Sequence, residues 1–124
     1  MSFNYNNCTL MGRLTKDPDF REITDTFCKL NFTLAVSRKY RKDDGTIETD
    51  FIPVTLIGTP AIVGSKLLCK GSPILVWGSI QVRQYDKDNE RKWITEVIAD
   101  NFQLLEKRKR ISEEKEKIDE KKVA

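Results

Sequence analysis

The chain has 124 residues, of which 39% are hydrophobic, and its 22 Lys/Arg against 19 Asp/Glu give a formal net charge of +3. This length and composition predict one folded domain, and so small a net charge does not by itself indicate a nucleic-acid partner. The chain has no histidine, and its three cysteines lack the spacing of a metal site or a disulfide framework. We therefore expect no enzyme activity, no cofactor and no metal. No apolar run is long enough to cross a membrane and no export signal precedes the first strand, so we expect a cytoplasmic protein.

The N-terminal part predicts one strand followed by a loop. Residues 8–14 have the pattern of a strand in which Gly12 permits a bulge or a sharp bend. Residues 15–29 contain Asp17-Pro18 and little apolar periodicity, so they are predicted to form a long loop.

The central part predicts two strands joined by an extended connection. Apolar residues alternate with small or polar ones from Leu30 to Ser37, which is typical of a half-buried strand. The return strand begins at Phe51 and alternates in the same way to Ile57. Between them lies a stretch that we call the arm, residues 38–50, with Arg and Lys residues at its start and an Asp43-Asp44-Gly45 turn.

The C-terminal part predicts a helix and two further strands. Residues 60–68 fit a short helix whose inward face would carry Ala61, Ile62, Ser65 and Leu68. A fourth strand over residues 74–85, with Gly78 indicating curvature, and a fifth over 93–100, continuing loosely to 105, flank a polar hairpin loop at 86–92. Five curved strands with one helix between the third and fourth are typical of a five-stranded OB-fold barrel, so we predict an all-β fold.

A change in composition divides the chain near residue 105. Residues 1–105 form the predicted OB-fold domain, and residues 106–124 are almost entirely charged, with few apolar positions. Because no amphipathic face of useful width exists there, we expect a charged tail that is helical or disordered.

Aromatic and cationic residues gather around the arm and on the predicted sheet. Cations follow the phosphates of a single-stranded nucleic acid, and aromatic faces stack on its bases. This combination favours binding of single-stranded nucleic acid.

Five stretches also resemble, in the same order, the pattern of the bacterial single-stranded DNA-binding protein family. They are LMGRLTKDPDFR at 10–21, FTLAVSRKYR at 32–41, ETDFIPVTLIG at 48–58, KGSPILVWGSI at 70–80 and TEVIAD at 95–100. The resemblance covers residues 4 to 105. It implies a homotetramer of OB-folds that binds and protects single-stranded DNA, without sequence preference, in replication, recombination and repair, and that associates with the nucleoid.

The resemblance also implies which residues contact DNA. The residues implied to stack on bases are Tyr40, Phe51 and Tyr85, and Ile57 replaces a further ring of the family pattern. Strand alternation places Phe51 and Tyr85 on an outward face, whereas Tyr40 shares the parity of buried Val36 and points outward only if the chain bends. Phosphate contacts are expected from seven cations: Arg13, Arg38, Lys39, Arg41, Lys42, Lys70 and Arg83.

The two tryptophans do not match family rings. Trp77 suits a subunit contact at least as well as a base contact, and Trp93 at the start of the last strand is interpreted as structural.

At the C-terminus the chain departs from the family, because it ends at Lys121-Lys122-Val123-Ala124 without a Gly/Pro-rich linker or an acidic tip. Recruitment of other proteins through such a tip is therefore not expected. Two alternative functions stay open: an RNA-binding OB-fold module, since no residue is identified that senses a 2′-hydroxyl, and a protein-interaction subunit that binds no nucleic acid.

Overall fold

The computed structural model describes residues 3–106, which form one closed sheet and a short helix. The elements are β1 (Cys8–Leu14), β2 (Asp19–Thr24), β3 (Phe27–Ser37), β4 (Thr49–Ile57), α1 (Thr59–Leu67), β5 (Pro73–Lys87) and β6 (Glu90–Leu104). The strands are ordered β1-β5-β6-β4-β3-β2, and β1 also pairs with β3, which closes the barrel. All pairings are antiparallel except that of β4 with β6. The predicted all-β OB-fold architecture with one helix is confirmed.

The structure contains a sixth strand where the sequence predicts a loop. Within residues 15–29, the strand β2 pairs with β3 from Asp19 opposite Asn31 to Thr24 opposite Phe27. All six residues of β2 are exposed, so the strand has no buried face. Its sequence therefore lacks the apolar alternation from which a strand is predicted. The prediction of a long loop here is wrong, although the five expected strands are all present.

The hairpin loop predicted at residues 86–92 is also shorter than expected. The turn consists of Asp88 and Asn89, whose φ angles are +54° and +65°, and the ladder continues to Lys87 opposite Glu90. Two residues with positive φ give the turn geometry that matches the twist of the flanking strands. Since this end of the hairpin is exposed on both sides, its charged residues are compatible with strand structure.

The barrel core comes from the alternating positions of the central strands. Leu30 and Leu34 on β3, Leu56 on β4, and Ile74 and Val76 on β5 are fully buried. Each points inward because alternate side chains of a strand lie on opposite faces of the sheet. The sequence pattern therefore identifies the inside of the barrel correctly along these strands.

The helix α1 packs on this core through small residues. Ala61 and Gly64 are buried, and Leu68 follows them at the C-terminal cap. A Cβ atom on Gly64 would lie 2.8 Å from Leu30 Cδ2, so the helix approaches β3 closely. Ile62 was expected on the inward face but is 43% exposed, because this close approach leaves room only for the narrower Ala61–Gly64–Leu68 stripe.

Gly78 lies at an irregularity of the long β5–β6 hairpin. The register between the two strands shifts between Trp77 and Gly78. A Cβ on Gly78 would lie 2.0 Å from the carbonyl oxygen of Ile98, a distance that no side chain can occupy. The irregularity thus lies where the sequence indicates curvature, and it requires glycine.

Three other predictions concern membrane spans, the cysteines and the C-terminal tail. Among residues 3–106, no helix is long and apolar enough to span a membrane. The three cysteines are free thiols, with Cys28 and Cys69 buried and Cys8 half-buried. The predicted charged tail lies, from residue 107 onward, outside the described residues.

Candidate nucleic-acid interface

One outer face runs without interruption across four strands. On β3, Asn31 and Thr33 lie opposite Thr55 and Pro53 of β4. Thr55 in turn lies beside Ile98 of β6, and Ile98 lies opposite Ser79 of β5. Because directly paired residues share a face of the sheet, every second residue of these strands belongs to this surface, which we call the outer face.

Phe51 occupies the arm end of the outer face. Its ring lies opposite Ala35, which in turn pairs with Arg13 of β1, so these three residues form a row across the sheet. Phe51 is 66% exposed, and the small side chain of Ala35 leaves the ring uncovered on that side. The outward position predicted from strand alternation is therefore found.

Tyr85 lies on the protruding part of β5. It pairs with Lys92, shares its side of the strand with Arg83, and is 40% exposed. The register from Ser79 through Gln81 and Arg83 places Tyr85 on the same face as Phe51.

Tyr40 is outward because the chain bends before it. The strand β3 ends at Ser37, and Lys39 and Tyr40 form a bend. Tyr40 is 65% exposed. The outward position that the sequence allows only if the chain bends is therefore found.

Ile57 lies at the opposite end of β4. It is half-buried, pairs with Lys29, and belongs to the outer face with Phe51. Ile57 is six positions after Phe51, which corresponds to roughly 20 Å along the strand. The structure thus places Ile57 on the predicted face but at a distance from the three rings.

A groove of about 390 Å³ crosses the outer face between these two ends. It is lined by residues that include Asn31, Thr33, Pro53, Thr55 and Ile94. The hydroxyl of Thr55 donates to Asn31 Oδ1 at 2.8 Å, which leaves the Asn31 amide nitrogen as a further donor in this region. Sequence reasoning did not nominate these residues, although the alternation of β3 already placed Asn31 and Thr33 on its free side.

The seven predicted phosphate-binding cations differ in their present partners. Three of them form ion pairs with carboxylates. Glu48 accepts from Arg38 at 2.7 Å and from Lys42 at 2.6 Å. Glu96 accepts from Arg83 at 3.0 Å. Among the described residues, the remaining four make no ion pair. These are Arg13, Lys39, Arg41 and Lys70.

Hydrogen bonds hold two of these unpaired cations. Arg13 Nη1 donates to the carbonyl of Gly71 at 3.0 Å, and Arg41 Nη1 donates to the carbonyl of Gly45 at 3.0 Å. Carbonyl partners leave the positive charge of each guanidinium uncompensated, so both remain available to an anion.

The ion pairs of the arm shift the acidity of its groups. The hydrogen bonds to Asp50 are the main cause that raises the pKa of Arg38 above its ordinary value. The same bonds from Arg38 lower the pKa of Asp50. The pKa of Asp44 is lowered by hydrogen bonds from the Thr46 hydroxyl and backbone N–H, which stabilise the turn that the sequence predicts.

The two tryptophans lie on opposite faces of the β5–β6 hairpin. Trp93, interpreted from the sequence as structural, is 61% exposed and pairs with Gln84 on the side of the hairpin away from Tyr85. Val82 lies on the same side and is also 61% exposed. Trp77 is half-buried and lies opposite Thr9 of β1.

Comparison with known proteins identifies the family. Residues 5–105 match the model of the single-strand binding protein family. The chain belongs to this family. The match spans almost all of the described residues, including the arm and the whole outer face.

Two curated relatives of the family illustrate the similarity. The chain is 43% identical over 106 residues to single-stranded DNA-binding protein 1 of Clostridium acetobutylicum, covering 84% of this chain and 96% of that protein. It is 42% identical over 104 residues to the single-stranded DNA-binding protein of Enterococcus faecalis, covering 83% of this chain and 55% of that one.

A solved structure of the family shares the fold. It is a deletion mutant of the single-stranded DNA binding protein from Thermus aquaticus, with a TM-score of 0.68 and 32% sequence identity. The match covers 82% of this chain, which spans about half of the Thermus aquaticus chain (51%).

Proposed function

We propose that this protein binds single-stranded DNA without sequence preference, protecting it and preventing re-pairing during replication, recombination and repair. The observation that carries the proposal is the exposure of Phe51 and Tyr85 on one outer face, with Tyr40 beside it, in a barrel of the single-strand binding protein family. An exposed ring on a sheet offers a flat surface on which a base can stack.

In this proposal the rings distinguish single strands from duplex. Tyr40, Phe51 and Tyr85 stack on unpaired bases, whose faces are hidden in a double helix, and Ile57 packs against a base farther along. The groove between them, which is lined by both polar and apolar side chains, accommodates base edges of any sequence. No bond is made or broken, so the protein acts by binding and not as an enzyme.

The phosphates would be neutralised chiefly by the cations without carboxylate partners. Four such residues, each displacing condensed counterions from the DNA on binding, would give a slope of log Kobs against log salt on the order of −3 per occupied protomer. Arg83 and Lys42 add weaker contributions, because a phosphate must compete there with Glu96 and Glu48.

The test is the binding of fluorescently labelled oligo-dT, followed by anisotropy at several salt concentrations, with duplex DNA and oligo-U as competitors. Tight, salt-dependent binding that duplex fails to compete supports the proposal. Stronger competition by oligo-U would favour the RNA-binding alternative. Absence of binding to every oligonucleotide would favour a protein-interaction subunit.

We also infer that the protein works as a homotetramer. Ile80, Val82 and Trp93 project from the hairpin side opposite Tyr85 and are 43%, 61% and 61% exposed in one protomer. A contiguous apolar surface on a protruding hairpin is typical of a subunit contact. Native mass spectrometry should give four chains per particle, and Val82→Glu with Trp93→Glu should shift the mass toward smaller species.

The proposed location is the cytoplasm, in association with the nucleoid, because that is where single-stranded DNA arises in a bacterial cell. Immunofluorescence should show that the protein co-localises with DNA. After replication is stalled, the signal should increase in discrete foci. A signal distributed independently of DNA would contradict this location.

A further inference from the structure

The arm carries as many carboxylates as cations. Its basic residues are Arg38, Lys39, Arg41 and Lys42, and its acidic ones are Asp43, Asp44, Glu48 and Asp50. The segment that appears basic in sequence thus has no net charge. Which charges are paired with each other therefore decides what a DNA strand meets.

Arg38 is engaged by two carboxylates at once. Its Nε and Nη2 donate to the two oxygens of Asp50 at 3.1 and 3.0 Å, and its Nη1 contacts Glu48 Oε2 at 2.7 Å. The second oxygen of Glu48 accepts Lys42 Nζ at 2.6 Å. We call these four residues, Arg38, Lys42, Glu48 and Asp50, the carboxylate clasp.

The clasp ties together the two limbs of the arm at its root. The backbone N–H of Arg38 donates to the carbonyl of Glu48 at 2.9 Å, so the side-chain contacts reinforce a backbone bridge. Farther out, the N–H of Lys42 donates to the carbonyl of Thr46 at 2.8 Å. Arg38 and Lys42 thus anchor the outgoing limb on both sides of the proposed stacking residue Tyr40.

Tyr40 lies between the two anchored positions of the outgoing limb. It is two residues from Arg38, whose N–H bonds to the carbonyl of Glu48, and two residues from Lys42, whose N–H bonds to the carbonyl of Thr46. The neighbouring cations differ, because Lys39 and Arg41 have no carboxylate partner within the described part of the chain. Along the outgoing limb, the two paired cations, Arg38 and Lys42, therefore flank Lys39 and Arg41.

A phosphate would gain little by taking Arg38 from its partners. Both Asp50 and Glu48 would lose a charge-assisted bond and would then lie beside the phosphate, where like charges repel. An arm that is already ordered, in contrast, does not have to lose conformational freedom when DNA binds. The geometry favours the ordering role for Arg38.

We propose that the carboxylate clasp is a positioning device, in which Arg38 holds the arm root and Tyr40 in place for stacking while Lys39 and Arg41 neutralise the phosphates. This inference rests on the proposed binding of single-stranded DNA. It reassigns Arg38 from phosphate contact to positioning, and it gives Asp50 and Glu48 a favourable part in binding an anion of their own sign.

A count of charges predicts that removing a carboxylate strengthens DNA binding, whereas the proposed clasp predicts the opposite for Asp50. Removing the negative charge of Asp50 should weaken DNA binding, because Arg38 loses its bidentate partner and Tyr40 loses its support. Removing the charge of Asp43 should not weaken DNA binding, because Asp43 makes no ion pair among the described residues. Asp43 lies in the same arm as Asp50. Asp43→Asn is thus a control with the same change of charge.

The experiment measures oligo-dT affinity by anisotropy over a range of salt concentrations, for the full chain and its variants. We expect Asp50→Asn to bind about 5- to 10-fold more weakly at every salt concentration, within the range expected for loss of a stacked base. Its salt slope should stay that of the wild type. Asp43→Asn should bind equally well or up to about 2-fold more tightly, because only a screened surface repulsion is removed.

Two further variants separate positioning from charge. Arg38→Lys keeps the charge but cannot form the bidentate pair with Asp50, so it should weaken binding without changing the salt slope. Lys39→Gln should instead reduce the magnitude of the slope by about 0.7, the value for one phosphate contact on a single strand.

A double-mutant cycle shows whether the clasp acts through Tyr40. When Tyr40→Ala is already present, Asp50→Asn should cause no further loss of affinity, because the residue that it positions is gone. A purely structural weakening of the barrel would add to the effect of Tyr40→Ala. Urea unfolding of each variant checks that the barrel remains folded.

Tighter binding by Asp50→Asn, wild-type affinity of Arg38→Lys, or additivity in the cycle would overturn the inference. None of these results would affect the proposed function, because the wild type would still bind single strands. Failure of the wild-type protein to prefer oligo-dT over duplex would instead refute the proposed function itself.

Discussion

Phe51→Ala tests the proposed stacking surface most directly. The ring is 66% exposed at the arm end of the outer face, in a row with Ala35 and Arg13. Stacking of one base on an aromatic ring contributes about 1–3 kcal/mol, so its removal should weaken binding of oligo-dT by roughly 5- to 150-fold. The salt slope should not change, because the substitution removes no charge.

The same exposure limits the effect on folding. About one third of the residue is covered, which for a side chain of about 200 Å² corresponds to roughly 70 Å² of buried surface. At about 25 cal/mol per Å², the free energy of unfolding should fall by at most about 1.7 kcal/mol. A barrel of this size should therefore stay folded at room temperature.

Two controls separate stacking from general damage. Phe51→Trp enlarges the ring and should bind more tightly than the wild type. Phe20→Ala removes the same chemical group from β2, where Phe20 pairs with inward-pointing Leu30 and lines a different cavity beside α1. We expect this control to bind oligo-dT within about 2-fold of the wild type, because its ring is not on the proposed stacking surface.

The assay is the anisotropy titration with labelled oligo-dT, accompanied by urea unfolding of each variant. A folded Phe51→Ala protein with wild-type affinity would refute the stacking role of this ring. Equal losses for Phe51→Ala and Phe20→Ala would also contradict it, since the effect would then not depend on the face.

Three further outcomes are expected. Tyr85→Ala should weaken oligo-dT binding by at least about 5-fold without changing the salt slope, for the reason given for Phe51. Gly78→Ala should lower the free energy of unfolding in urea by about 3 kcal/mol or more, because its Cβ would lie 2.0 Å from the Ile98 carbonyl oxygen. In urea unfolding at pH 7 and at successively lower pH, Asp50→Asn should be slightly less stable than the wild type at pH 7, and the difference should shrink as the pH falls below about 4. The lowered pKa of Asp50 stabilises the fold above the ordinary aspartate pKa near 4, and this contribution is lost as the pH falls through the lowered value.

Each of these outcomes has a result that would contradict it. Unchanged affinity of Tyr85→Ala would limit the stacking surface to the arm end. Wild-type stability of Gly78→Ala would show that β5 and β6 can move apart at the irregularity. A stability difference for Asp50→Asn that does not shrink as the pH falls below about 4 would indicate an effect other than its ion pair with Arg38.

Much of the fold could be predicted because alternation is a local property. Leu30, Leu34 and Leu56 point inward, and Phe51 and Tyr85 point outward, as the parity of their strands predicts. The turn at 43–45 and the start of the helix at Pro60 also follow from residue type alone. The roles of the outward residues in binding DNA stay predictions.

Where local patterns carry no signal, the predictions were wrong. The strand β2 has no buried residue, and the end of the β5–β6 hairpin is exposed on both sides, so neither shows alternation. Both exist because neighbouring strands supply backbone partners, which depends on pairing and not on side-chain polarity. Ile62 was misplaced for a related reason, since only the approach of α1 to Leu30 decides which side of the helix is covered.

By itself, the sequence determined the fold class, the direction of most strand side chains and the family pattern, because each depends on residues close together in the chain. Only the tertiary structure decided which charges meet. Among the described residues, it brings Arg38 to Asp50 and Glu48 and leaves Lys39 without a carboxylate, although all four lie in one arm. An ion pair depends on distances of a few ångströms across a hairpin, and these are set by strand register, which composition does not record.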